Sequence, residues 1–129
     1  GQGKVMLAHH MFCHEDHEKA LEIARDPLNR YLKSLVDAAS MWLTGSSSDD
    51  YPGYDKIIET LSKETADSQI KKSAAFVGSP KRLVEQINEY QGATGGFDIA
   101  SIQVNFNDLD VGVAENSMRL FSEKVMPNV

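Results

Sequence analysis

The stretch from Lys4 to His14 restricts the fold most. Within it Val5, Met6, Leu7, Ala8, His9, His10, Met11, Phe12 and Cys13 follow one another without a charged residue. A half-buried strand alternates apolar with polar positions, whereas a strand covered on both faces reads as a continuous apolar run. The run is short for a helix and ends abruptly at Glu15-Asp16, so it predicts a strand of a parallel sheet. Asp16 is placed to cap a following helix over Glu18 to Arg25, because its carboxylate can accept a free amide proton of the first turn.

Asp26-Pro27 reads as a second helix start, since proline at the first helical position gives up an N–H that has no partner there anyway. Leu28, Tyr31, Leu32, Leu35, Val36, Ala39, Met41, Trp42 and Leu43 fall mostly at helical spacing and predict a wide buried stripe. Gly45 to Gly53 (GSSSDDYPG) is rich in turn formers and predicts a loop. A shorter amphipathic helix with Tyr54, Ile57, Ile58 and Leu61 follows, and polar Glu64 to Lys72 suits a short helix or loop. Ser73 to Val77 predicts a second strand. Gly78-Ser79-Pro80 turns it into a helix with Ser79 as N-cap, Leu83, Val84, Ile87 and Tyr90 on its buried stripe, and Gly92 as its stop. Ile99 to Phe106 predicts a third strand, with Ile102, Val104 and Phe106 on one face and Ser101, Gln103 and Asn105 on the other. Ala114, Met118, Phe121 and Val125 mark a closing helix ended by Pro127.

Strands separated by helices connect in parallel through crossovers. The expected fold class is therefore α/β, parallel strands with crossover helices in a single domain over residues 1–129. Loop 45–53 would separate a helical insertion from the last two βα units.

Charge narrows the function. Against 13 Lys+Arg stand 19 Asp+Glu, a net charge of −6. A sequence-independent nucleic-acid binder needs a basic footprint, so no nucleic-acid partner is expected, and an acidic chain does not dock on anionic lipid. No apolar run is long enough to cross a bilayer, and no basic-then-apolar leader opens the chain, so no membrane partner is expected either. One cysteine excludes an internal disulfide framework and fits a reducing, cytoplasmic compartment.

Four His and the only Cys lie in HHMFCHEDH, His9 to His17. Alternation along a strand puts His10, Phe12 and His14 on one face and His9, Met11 and Cys13 on the other. Parallel sheets bind ligands outside the carboxyl ends of their strands, so His10 is the candidate catalytic residue, as proton donor, acceptor or ligand contact near neutral pH. His10, Cys13, His14 and His17 have ligand types that suit zinc, but their spacing matches no metal template, so no metal is assigned. The plainer alternative packs His9 under a helix and leaves His14 and His17 solvated. Cys13 reads as a small core residue. Gln103 and Asn105 need partners if buried, and either contact a cofactor or substrate or satisfy nearby backbone. Gly78 and Ser79 precede a helix N-terminus followed by Lys81 and Arg82, a loose likeness to a phosphate-binding turn. GATGG, which follows a helix and precedes a strand, is no dinucleotide motif. Tyr31, Trp42 and Tyr90 read as core.

Taken together, VMLAHHMFCHEDHEKALEIARDPLNRYLKS, FVGSPKRLVEQINEYQ, FDIASIQVNFNDL and SMRLFSEKVMP resemble the C-terminal part of bacterial luciferase-like flavin-dependent monooxygenases. The resemblance spans nearly the whole chain, and the last segment is its most specific piece. It implies a (β/α)₈ barrel that holds FMN or, in relatives, a deazaflavin and inserts oxygen into small organic substrates. The three strands would be the last three of that barrel, with His10 at a pocket-facing strand position and Gln103 and Asn105 lining the same mouth. A barrel needs roughly 250 residues, and this chain has 129. The resemblance therefore implies a fragment with oxidoreductase ancestry, inactive alone. An open three-stranded parallel sheet leaves an edge and an apolar face uncovered, so self-association as a homodimer or higher assembly is expected. The alternative is a stand-alone structural or interaction module that binds no flavin.

Overall fold

The computed structural model describes residues 3–43 and 52–129. Strand β1 is Met6–Cys13, followed by helices α1 (His17–Leu43), α2 (Tyr54–Ser62) and α3 (Ala66–Lys71). Then come β2 (Ala75–Gly78), α4 (Pro80–Thr94), β3 (Ile99–Gln103), α5 (Val111–Lys124) and a final 3₁₀ turn, Met126–Asn128. Most of the loop expected at 45–53 lies outside the described residues, as do the side chains of Met41, Trp42, Leu43 and Tyr54. Among the described residues no helix is long and apolar enough to cross a membrane.

Asp16 caps α1 as expected, its Oδ1 accepting from Lys19 N at 3.1 Å. The second helix start expected at Asp26-Pro27 is not there: Pro27 sits inside one continuous helix. Proline in a helix interior costs about 3 kcal/mol. Ala20, Ala24, Leu28 and Leu32, buried to 5% exposure or less, keep one phase across it, and each fully buried leucine returns about 1.5–3 kcal/mol. Packing therefore carries the helix past the break. In α4, Pro80 takes the first position and Ser79 is the N-cap, but its side chain makes no capping bond. The helix runs through Gly92 and stops at Gly95, whose φ of 79° is the left-handed closure. Gly92 was the wrong glycine because a helix ends where the backbone turns left-handed, and the sequence GATGG offers three sites for that.

The sheet is three-stranded, all parallel and open, in the order β2-β1-β3. Strands consecutive in a closed barrel are also neighbours in space. Here β1 takes the middle, as the longest strand and the one whose run is apolar on both faces. Its carboxyl half pairs with β2 (Cys13 opposite Gly78) and its amino half with β3 (His10 opposite Gln103). Phe12 packs with Ala75, Val77 and the α1 residues Ala20, Ala24 and Leu28. Met11 and Cys13 pack on the other side with Phe76, the α4 residues Leu83 and Ile87, and Phe121 and Val125. Helices thus cover both faces of the upper sheet.

The third strand ends at Gln103, three residues short of the expected Phe106. Ile102 and Val104 pack on the α4–α5 side, whereas Phe106 turns back into the α1 side. The alternation expected to keep these three on one face fails because the chain has left the sheet, and Asn107 closes the turn with φ 67°. Asp110 then caps α5, accepting from Gly112 N and Val113 N.

Candidate functional site

The lower half of the sheet is covered on one face only. Parallel register pairs share a face, so Met6 with Ile99, Ala8 with Ser101 and His10 with Gln103 point to the side that carries Phe12 higher up. All of these but His10 are exposed, Met6 to 65% and Ile99 to 44%. Where the open face meets the α1 core, the His10 ring stands edge-on to Tyr31 at 4.5 Å and to Phe106 at 5.4 Å between centroids. Its Nε2 is buried and has no hydrogen-bond partner. The sequence expectation that unites His10 with Gln103 therefore corresponds to one place in the fold.

Burial pushes the His10 pKa below 6.5, the neighbouring His9 adds to that, and the Gln103 side chain partly opposes it. At neutral pH His10 is an uncharged imidazole, able to accept or donate at Nε2 according to its tautomer. His9, on the opposite face, is 5% exposed and stacked on Phe76 at 4.4 Å, with Tyr90 edge-on at 5.1 Å. Both its ring nitrogens lack partners. Burial lowers its pKa too, and the nearby Ala74 backbone offsets part of the shift without closing a hydrogen bond. His9 is thus a core histidine packed under α4, as the plainer reading of the cluster expects.

The remaining candidates lie elsewhere. Gly78 and Ser79 stand beside the end of β1, where His14 N donates to Gly78 O at 3.1 Å. Gly78 is level with Cys13, three residues along β1 from His10, roughly 10 Å. The space over Gly78 is filled by His17: a Cβ there would stand 2.8 Å from His17 Nδ1. His17 is accordingly packed and half-buried, not solvated as expected, and its Nδ1 is buried without a partner. His14 Nδ1 accepts from Asp16 N at 3.0 Å. Asn105 does not line the mouth with Gln103. It has left the strand, and its Nδ2 donates to Leu109 O at 3.1 Å, so it satisfies local backbone. His10 and Cys13 sit on opposite faces of β1, which keeps the zinc set from converging. Among the described residues no group of three His, Cys, Asp or Glu could hold a metal. The Cys13 thiol is pushed up to about 12 by burial and is not a nucleophile.

Two features escaped the sequence reading. Tyr31, assigned to the core, is half-buried and forms a wall beside His10. Ser117, 1% exposed on the inner stripe of α5, accepts from Cys13 N at 2.8 Å and fastens α5 to the end of β1. A hydroxyl in the phase of Ala114, Phe121 and Val125 was the available signal. Beside it, a groove of about 410 Å³ opens between Phe12, Ile23, Val113 and Leu120, rimmed by Glu15, Glu123 and Arg119.

The fold matches a part of the fold of solved monooxygenases. Aligned with the oxygenating constituent of 3,6-diketocamphane monooxygenase from the CAM plasmid of Pseudomonas putida, a type II Baeyer-Villiger monooxygenase in complex with FMN, 96% of this chain matches 33% of that one. The TM-score is 0.66 at 22% identity. With monooxygenase RslO1 from Streptomyces bottropensis the coverage is 95% of this chain and 30% of that one, with a TM-score of 0.58 at 20% identity. The chain thus spans about a third of the length of each. No family model matches the sequence, and no curated protein does.

The described residues meet the needs of a flavin only in part. His10 offers an unpartnered nitrogen beside two aromatic rings on an open face. Among the described residues the turn at Gly78 forms no open phosphate cradle: His17 fills the space over Gly78, Arg82 faces Glu85 and Glu89, and Arg119 is paired with Glu115.

Proposed function

We propose that this chain is one part of a flavin-dependent monooxygenase of the luciferase-like type, acting on a small organic substrate. In this reading the open sheet face of Ala8, His10, Ser101 and Gln103 lines the cavity in which ring and substrate meet. The observation that carries the reading is His10, half-buried at the margin of an uncovered sheet face with its buried Nε2 unpartnered, in a chain that aligns along 96% of its length with an FMN-bound monooxygenase. Flavin, when bound, supplies the oxygen chemistry. The chain's own contribution is positional: the His10 ring, neutral at working pH, orients a substrate hydroxyl or carbonyl or holds a proton, while Tyr31 and Phe106 keep water from its Nε2. Because the described residues offer no open phosphate cradle and the chain spans about a third of the aligned monooxygenases, the chain alone is catalytically inactive and grips flavin weakly. The protein works in the cytoplasm, a reading supported by its single thiol, free and buried.

A titration of dilute FMN with the purified chain, followed by flavin fluorescence, tests this. Saturable quenching is expected with a Kd weaker than about 0.1 mM. Riboflavin should bind equally well, and His10→Ala should abolish quenching without unfolding the chain. No quenching at millimolar protein, or quenching that His10→Ala leaves untouched, would overturn the reading.

The same open face favours self-association. The edge strand β3 (IASIQ) carries none of the charged or proline residues that normally blunt an edge, and Met6 and Ile99 are exposed beside it. A homodimer over this face is expected by light scattering, and a clean monomer at micromolar concentration would refute it.

A further inference from the structure

We infer that Arg30 is a positioning residue for His10, acting through the segment 104–110, which it clamps as a strap so that Phe106 seals the inner side of the His10 ring. Three sets of bonds shape the strap. Asn105 Nδ2 closes it on itself through Leu109 O. Asp110 anchors its far end as the cap of α5. From α1, Arg30 reaches across: its Nη2 donates to Asp108 Oδ1 at 2.6 Å, and its Nε lies 3.3 Å from both Asp108 Oδ1 and Asn107 Oδ1. The clamped residues include Asn107, whose left-handed φ of 67° is the sharpest point of the turn. Immediately before it, Phe106 is fully buried in the α1-side core and edge-on to His10. Arg30 is also the neighbour of Tyr31, the other ring against His10. One guanidinium thus ties together the two elements that enclose the histidine.

The strap explains an otherwise costly arrangement. A polar nitrogen buried without a partner is normally relieved by water, and here the Phe106 and Tyr31 rings keep water from His10 Nε2. The groups that face His10 are few: Tyr31 from α1, Gln103 from β3, Phe106 from the strap and His9 next to it on β1, with Arg30 adjacent to Tyr31 and Asp108 two residues after Phe106. The Arg30 and Asp108 side chains are 49% and 60% exposed, so either can be replaced without opening the core. The inference adds a residue to the proposed His10 site and rests on that reading for its functional meaning. Its test reads the histidine itself and needs no flavin.

The experiment follows the His10 Cε1–H resonance against pH in the full chain and in Arg30→Gln, Asp108→Asn and Arg30→Lys. Removing the arginine charge and removing the aspartate charge act on an imidazole in opposite directions through space. Loosening the strap acts in one direction only, since both substitutions admit water to Nε2 and relieve its desolvation. Both Arg30→Gln and Asp108→Asn are therefore expected to raise the His10 pKa toward 6.5. Arg30→Lys should fall between them and the unaltered chain, and His9, on the far face, should not move. Shifts of opposite sign for the two substitutions, or an unchanged His10 pKa in both, would overturn the inference. A flavin titration that fails while both shifts appear would leave the strap standing and remove only the proposed function.

Discussion

Replacing His9 by Phe should stabilise the protein and flatten its response to acid. The side chain is 5% exposed, stacked on Phe76, and neither ring nitrogen has a partner. A buried polar group without a hydrogen bond costs about 1–3 kcal/mol on protein scales, and a neutral imidazole carries one donor and one acceptor. Phenylalanine removes both penalties and keeps the aromatic contacts, but its larger ring brings an overpacking cost of about 1–3 kcal/mol. The difference leaves a net gain of about 1 kcal/mol at neutral pH, or roughly 3–5 °C in Tm for a chain of this size. Protonation adds a second effect. The folded pKa of His9 lies below 6.5, so between 6.5 and that lower value the unfolded chain takes up a proton that the folded chain refuses. The stability associated with neutral His9 is complete above 6.5 and is lost as pH falls toward the folded pKa. His10 contributes with the same sign. Urea unfolding at several pH values between 7.5 and 5 should therefore show the unaltered chain weakening steadily and His9→Phe weakening less. A variant less stable than the parent at pH 7.5, with an unchanged acid slope, would refute the reasoning.

Other outcomes follow from the same geometry. Gly78→Ala must displace the His17 ring, 2.8 Å from the new Cβ, and should cost about 1–3 kcal/mol by urea unfolding. Gly92→Ala meets nothing within 4 Å in the body of α4 and should add about 0.5–1 kcal/mol. The two glycines, both expected to be turn residues, should thus respond with opposite signs. Ser117→Ala leaves the buried Cys13 N–H without its acceptor and should cost about 1–3 kcal/mol, with faster hydrogen exchange at the Cys13 amide. The Cys13 thiol, pushed up to about 12, should resist a disulfide reagent at pH 8 in the native chain and react on unfolding.

The parts of this fold legible in the sequence are those set by local pattern. The run Val5 to Cys13 marks a strand, but it is buried on both sides only from Met11 to Cys13, while Val5, Met6 and Ala8 are exposed. Asp16 and Pro80 begin helices because the chemistry of a first turn is local. Pro27 misled because a proline signals a break whose cost is local, whereas the burial of Leu28 and Leu32 that outweighs it depends on a distant sheet. The end of β3 was misplaced for a similar reason, since Phe106 leaves the alternating pattern to fill a hole beside α1. The apolar run marks β1 as an interior strand, but which strand lies on which side of it is a matter of long-range pairing. The site divides along the same line. His10 and Gln103 meet because alternation within two strands places them on one face. Gly78 and Ser79 stand apart because the register of β1 with β2, which pairs Cys13 with Gly78, carries them to a different level of the sheet.

The most direct test of the central claim is an NMR search for contacts between protons of the flavin ring and the chain at saturating riboflavin. Cross-relaxation is expected from the ring to Ala8, His10 and Tyr31, and to Ser101 and Gln103 on β3, with none to the residues around His9. Contacts confined to the groove beside α5, or the absence of any contact with the open sheet face, would contradict the account.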